Sequence, residues 1–252
     1  MGKYTGVLLC TDFDGTLEVS KKISKENLDA IKYFSDNGGI FTFASGRYYE
    51  FLLEQFPGFS SKAPILALNG AVFYDTNTQK ITREKFMTDI NYDYIENVFD
   101  IVTEGLQEVI LYTKEGFKHF TTENLSTLRS VSLANVYKIQ VKVENDVDIS
   151  NRAVAALKAV SPSHWEIARS WYPGIGVQHA AHTKGYATRD LKEMLGADTL
   201  VCVGDFENDI GMVKGADIGY AVGNAIDSLK AVADRITVPA KEHAIAKIIE
   251  EL

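Results

Sequence analysis

Val7-Leu8-Leu9-Cys10-Thr11-Asp12-Phe13-Asp14-Gly15-Thr16 joins an apolar run to an acidic loop. Consecutive apolar residues suit a strand covered on both faces, as in a parallel sheet flanked by helices. The stretch therefore predicts a buried strand from Val7 to Thr11, with Asp12 and Asp14 at its carboxyl end, where open α/β sheets bind ligands. In a strand-like Asp-x-Asp both side chains point the same way, and a divalent cation would remove their repulsion. An acid pair alone also reads as a solvated turn. The five-residue string Asp12–Thr16 is more specific: at about 5% usage per residue it arises by chance in such a chain with odds on the order of one in ten thousand.

Working outward, short apolar runs alternate with longer segments of helical spacing, the pattern of parallel strands joined by helical crossovers. The expected class is α/β. Ile40–Ala44, Pro64–Leu68 and Leu200–Val203 read as further buried strands. Between the first two strands lies a helix from Ser24 to Asn37, capped by Ser24, with Leu28, Ile31 and Phe34 at helical intervals and Gly38-Gly39 as its stop. After Lys184, the apolar residues Tyr186, Ala187, Leu191, Met194 and Leu195 define another helix, which Gly196 ends before the Leu200 strand.

The pattern changes from about Thr82 to Ala181. A helix is expected over Tyr92–Leu106, a hairpin from Val109–Tyr112 and Phe117–Thr121, a strand over Tyr137–Val143, a helix over Asn151–Val160, and strands near Trp165 and Val177. Tyr137, Ile139, Val141 and Val143 alternate with Lys138, Gln140 and Lys142, as in a sheet with helices on one side and its other face exposed. The expected organisation is a discontinuous core, residues 1–82 and 182–252, carrying an inserted α+β domain, residues 83–181.

The chain has 252 residues, 46% of them hydrophobic, enough for a packed core. Lys and Arg number 26 against 34 Asp and Glu, a formal charge of -8, so no broad cationic surface attracts nucleic acid or anionic lipid. An acidic protein that handles an anion must supply positive charge locally, from a metal, a lysine or backbone N–H groups. Cys10 and Cys202 sit in apolar runs and read as buried reduced thiols. No N-terminal stretch is apolar enough for a signal or a membrane span, which predicts a cytoplasmic location.

Three further segments could carry chemistry. Gly204-Asp205-Phe206-Glu207-Asn208-Asp209 is a second acidic loop after a buried strand. Asp12, Asp205 and Asp209, with carbonyl and water oxygens, suit a hard cation such as Mg²⁺, although Asp205 and Asn208 also read as helix caps. Ser45-Gly46-Arg47 follows the second strand and could hold a phosphate oxygen through the Ser hydroxyl and the N–H groups of a helix starting at about Tyr48; a plain Ser cap is the alternative. Lys184 stands where its ammonium could neutralise the anionic cluster.

Together these pieces resemble the haloacid dehalogenase superfamily, in which an Asp-x-Asp-x-Thr loop, a Ser or Thr, a Lys and an acidic loop occur in this order. The insertion between Ser45 and Lys184, Asn69-Gly70-Ala71 after the third strand, and Ala221-Val222-Gly223-Asn224-Ala225 are similar to its Cof-type, subclass IIB, sugar-phosphatase-like branch, over nearly the whole chain. The resemblance implies a Rossmann-like three-layer core with a mostly parallel sheet and an inserted α+β cap, in a Mg²⁺-dependent phosphatase of small phosphorylated metabolites. It implies that Asp12 is the nucleophile, that Asp14 is the acid–base and offers a backbone carbonyl to Mg²⁺, and that Asp205 is a metal ligand. Ser45, Gly46, Arg47, Asn69, Lys184 and Asn208 would contact substrate, Asn208 and Asp209 would orient their neighbours, and Thr16 would brace the loop. Trp165, Trp171, Tyr172, His179 and His182 are candidates to line the closed site, though aromatic residues in such an insert also serve as core. Where many relatives carry Asp-Gly before the last helix, this chain has Glu242-His243-Ala244, which leaves substrate preference open. A phosphomutase of the same superfamily, or a receiver-like phospho-acceptor domain, would share parts of the pattern. Neither G-x-G-x-x-G nor G-x-x-x-x-G-K-[ST] occurs, which disfavours dinucleotide binding.

Overall fold

The computed structural model describes residues 2–252. Its contacts divide the chain into two compact units, Met1–Glu84 with Thr183–Leu252, and Lys85–His182.

The first unit is built on one eight-stranded sheet. In chain order it contains β1 (Val7–Asp12), α1 (Lys25–Asp36), β2 (Ile40–Ala44), α2 (Tyr49–Gln55), β3 (Ile65–Ala67), β4 (Val72–Asp75) and β5 (Lys80–Glu84). The inserted unit supplies α3 (Tyr92–Ile101), β6 (Leu106–Thr113), β7 (Gly116–Phe120), β8 (Val136–Val143), α4 (Val147–Val160), β9 (Trp165–Trp171) and β10 (Gly174–His179). The chain then completes the first unit with α5 (Lys184–Leu195), β11 (Thr199–Gly204), α6 (Ile210–Lys214), β12 (Ile218–Ala221), α7 (Asp227–Lys230), β13 (Arg235–Ile236) and α8 (Ala244–Glu251).

Strand order in the large sheet is β13-β12-β11-β1-β2-β3-β4-β5. From β13 to β3 the pairings are parallel, and the β3-β4-β5 edge is antiparallel. From β1 the chain builds outward through β2 and β3, and later outward on the other side through β11 and β12. The border between β1 and β11 is thus a topological switch point, where the carboxyl ends of the strands part and leave a crevice. Asp12 ends β1 and Gly204 ends β11, so both acidic loops open there. Cys10 pairs with Cys202 across this border; both are free thiols, and burial pushes both well above the ordinary thiol range.

Helix α1 starts at Ser24, whose hydroxyl accepts from Asn27 N–H, and it buries Ile31 and Phe34. Leu28 points to solvent instead, and Asn27 takes the inward position, its Oδ1 accepting the Ala246 N–H of α8 at 3.0 Å. Gly196, in the left-handed region at φ +61, ends α5.

The inserted unit is an antiparallel sheet ordered β7-β6-β8-β10-β9. Tyr94, Ile95 and Val98 of α3 and Ala153 and Leu157 of α4 share one core with Val109, Leu111, Ile139, Val141, Ile175 and Val177, so both helices lie on one face. Two expectations differ from what is found. Helix α3 stops at Ile101, because Gly105 has φ +68 and Leu106 already belongs to β6. Lys138 and Gln140, expected to be exposed on the opposite face, are 2% and 1% exposed.

Candidate active site

The site is assembled at the carboxyl ends of β1 and β11. Lys184, the first residue of α5, is completely buried, and its Nζ donates to Asp12 Oδ1 at 2.5 Å and to Asp209 Oδ1 at 2.7 Å. The other oxygen of Asp209 accepts the N–H groups of Asp205 and Phe206 at 3.0 and 3.2 Å, which closes the loop after β11 on itself. Thr16 Oγ1 donates to Asp205 Oδ1 at 2.9 Å and ties the two acidic loops together. Gly15 makes that approach possible: its φ is +82, and a Cβ there would lie 2.8 Å from an Asp205 oxygen.

Charge around Lys184 does not balance. Asp12, Asp205 and Asp209 each place one oxygen within 4.8 Å of the others. One ammonium faces these three carboxylates, leaving two negative charges over when all are ionised. Burial, then Asp209 and Asp205, push the Asp12 carboxyl well above the usual range, against the pull of Lys184. Burial and Asp209 likewise push Asp205 up to about 6, opposed by Thr16 and Lys184. For Lys184, burial disfavours the charged form, but Asp12 and Asp209 outweigh it and hold the ammonium above the ordinary lysine range. An all-oxygen donor set short of positive charge fits a hard divalent cation, and thus the metal expected in this fold.

Asp14 lies beside this cluster and is held differently. Arg47 grips its carboxylate through Nε at 2.9 and 2.8 Å and Nη2 at 2.7 Å, while Ser45 Oγ donates to it at 3.4 Å. The Arg47 guanidinium also lies 4.2 Å from the Phe51 ring centre. Ser45 Oγ accepts the Arg47 N–H at 3.2 Å, with α2 beginning just beyond, at Tyr49. Asn69 sits in the left-handed region at φ 58; its N–H donates to Ser45 O at 2.7 Å and its Oδ1 accepts from Asn208 Nδ2 at 3.1 Å. Residues from the loops after β1, β2, β3 and β11 are thereby linked by hydrogen bonds, with Lys184 from α5.

Of the aromatic candidates in the inserted unit, Trp165 is core, whereas Trp171 and Tyr172 are exposed. His179 stacks on His182 at 4.8 Å, and its Nδ1 accepts the Ala181 N–H. Sequence reading gave Asn224 no task. Its Nδ2 donates to Gly15 O at 3.0 Å and its Oδ1 accepts the Ala240 N–H at 2.8 Å, bracing the loop after β1 from 209 residues away. The signal available was a short amide side chain after a strand end, which says nothing of so distant a partner.

The family model described as haloacid dehalogenase-like hydrolase matches residues 9–249. A 5-amino-6-(5-phospho-D-ribitylamino)uracil phosphatase of Bacillus subtilis is 28% identical over 254 residues, covering 96% of this chain and 94% of that protein. A pyridoxal phosphate phosphatase of Escherichia coli is 22% identical over 263 residues, covering 96% of this chain and 97% of that protein. Among solved structures, a haloacid dehalogenase-like hydrolase from B. subtilis superposes with a TM-score of 0.80 at 18% identity, covering 97% of this chain and 99% of that one. A HAD subclass IIB sugar phosphatase superposes with a TM-score of 0.76 at 18% identity, covering 97% and 98%.

Proposed function

Because the chain belongs to the haloacid dehalogenase-like hydrolase family, matched over residues 9–249, we propose that it is a Mg²⁺-dependent phosphatase of small phosphorylated metabolites working through an aspartyl-phosphate on Asp12. The observation that carries this reading is the meeting of Asp12, Lys184, Asp205 and Asp209 around one buried ammonium with negative charge to spare.

Asp12, Asp205, Asp209 and the Asp14 carbonyl would hold the ion. Bound there, it supplies positive charge that stabilises the phosphoryl oxygens. An Asp12 oxygen attacks phosphorus in line as the bond to the leaving oxygen breaks, and Asp14 delivers a proton to that oxygen. Asp14 then takes a proton from water, whose oxygen attacks the aspartyl-phosphate, so that inorganic phosphate leaves and Asp12 is restored. Lys184 and Ser45, with the N–H groups after Ser45, hold the equatorial oxygens, since phosphoryl transfer is catalysed mainly by positioning and charge. Arg47, Asn69 and Asn208 contact the substrate beside Asp14, and Thr16 and Asn224 brace the loop. Substrate choice is assigned to the inserted unit.

The test is phosphate release by the purified chain across ribitylaminouracil phosphate, pyridoxal phosphate, sugar phosphates and flavin mononucleotide, with Mg²⁺ and with a chelator. Release that needs Mg²⁺ and disappears in Asp12→Asn is expected. Asp12→Asn with wild-type turnover would sink the assignment, and an isomerised phosphate ester in place of free phosphate would make the chain a mutase.

A further inference from the structure

The outer edge of β9, the last strand of the inserted sheet, borders a cavity of about 320 Å³. Lys158 near the end of α4, Pro162 and Ser163 in the turn that follows, and Trp165, Glu166 and Ile167 of β9 line it.

Hydrogen-bond phase decides what this edge offers. Ala180 N–H donates to His164 O at 2.8 Å, and the antiparallel register runs on from that pair to Glu166 opposite Gln178. Opposed residues in such a ladder alternate between bonded and unbonded pairs. Glu166 therefore turns its main-chain groups towards β10, whereas Trp165 and Ile167 turn theirs outward, where no strand follows. The Trp165 N–H is taken by Pro162 O at 2.9 Å. That leaves the Trp165 carbonyl as an acceptor and the Ile167 N–H as a donor on the open edge. Two opposite charges stand beside them. Lys158 acts on the Glu166 carboxyl through its field, with no hydrogen bond between the two. Burial pushes that carboxyl above its ordinary range, and among the described residues no hydrogen-bond donor relieves it.

We propose that this cavity binds a free α-amino acid with an apolar side chain, held along the open edge of β9. An ammonium and a carboxylate kept apart beside one main-chain acceptor and one main-chain donor match a small zwitterion. The ligand's ammonium donates to the Trp165 carbonyl and to Glu166, while its carboxylate accepts from the Ile167 N–H and from Lys158. Its side chain fills the apolar part of the cavity, against Pro162 and Trp165. A peptide segment would make the same main-chain bonds, but inside a chain it brings neither charge and leaves Glu166 and Lys158 unmet. This binding requires no phosphate on the ligand and stands independently of the phosphatase reading.

The test follows the Trp165 indole N–H of the full ¹⁵N-labelled chain, identified as the indole signal that remains in Trp171→Phe, as L-leucine is added. A saturable shift is expected. N-acetyl-L-leucine, which lacks the ammonium, and L-leucinamide, which lacks the carboxylate, should each bind about tenfold or more weakly. Glu166→Gln should remove the preference over N-acetyl-L-leucine, and Lys158→Met the preference over L-leucinamide. No saturable shift with L-leucine would overturn the proposal. So would equal binding of N-acetyl-L-leucinamide, which carries neither charge and would mark the edge as a seat for a peptide strand. The ligand comparisons need no change at Glu166 or Lys158, so a poorly folding variant leaves the proposal open to refutation.

Discussion

Lys184 is the residue on which the buried carboxylate cluster turns. Its charge is the only cation bonded to Asp12 and Asp209 among the described residues, and all three side chains are nearly or wholly buried. Removing one partner from such a cluster leaves uncompensated buried carboxylates, which costs about 3–5 kcal/mol. Lys184→Met should therefore lose that much in urea unfolding and essentially all phosphate release; wild-type stability would show that the cluster is not coupled as described. The sequence suggested that the Lys184 ammonium could neutralise the anionic cluster, but its complete burial and its partners 172 and 25 residues away leave no local mark. His182 supplies a pH test in the inserted unit. Burial, then His179 and Lys85, push its imidazole down to about 4, with Asp89 opposing. A histidine freed by unfolding takes up its proton near pH 6.5, so the unfolded chain binds more protons between the two values. Stability from this group is full above about pH 6.5 and falls as pH drops towards 4. Urea unfolding from pH 7 to 4.5 should show a shallower loss in His182→Asn than in the wild type; parallel curves would contradict the assignment.

At the scale of elements, helices α5 and α6 hold Lys184 and the loop after β11 in place because they touch backbone to backbone. A Cβ on Gly185 would come within 2.6 Å of the Gly211 carbonyl group. Gly185→Ala must therefore push α6 away from α5, shifting Lys184 relative to Asp209. Overpacking of this kind costs about 1–3 kcal/mol, and a small displacement of the groups proposed as catalytic would lower turnover further. Thermal melts and phosphate release should both fall, and a variant with unchanged melting would show that the helices have room to separate. Strands β1, β2 and β11 were legible because buried parallel strands are written as continuous apolar runs. The end of α3 was not: apolar residues continue at helical spacing to Leu106, while Gly105 at φ +68 breaks the helix. Nor was Asn27, which occupies a core-facing position of α1 because Ala246 N–H needs an acceptor there. Alternation on β8 gave the helix-covered face correctly but could not show that Lys138 and Gln140 are buried.

For the whole molecule, alternating half-buried strands replace continuous apolar ones from about Thr82, and the contacts divide the chain into Met1–Glu84 with Thr183–Leu252, and Lys85–His182. Each unit closes its own core: Leu8, Cys10, Leu66, Leu191 and Cys202 in one, Val109, Ile139, Val141 and Leu157 in the other. A cation bound by Asp12, Asp205 and Asp209 stabilises only the fold that gathers them, by about 2.7 kcal/mol at a hundred times its dissociation constant. For a unit of this size that corresponds to about 5–10 °C in melting temperature. Both tryptophans of the chain, Trp165 and Trp171, lie in the inserted unit, so indole fluorescence reports that unit alone while far-ultraviolet circular dichroism reports both. Added Mg²⁺ should raise the dichroism transition by several degrees and move the fluorescence transition less, and Asp205→Asn should abolish the shift. Equal shifts by both probes would mean that the units unfold as one cooperative body, and no shift in the wild type would mean that the three carboxylates do not take up the ion.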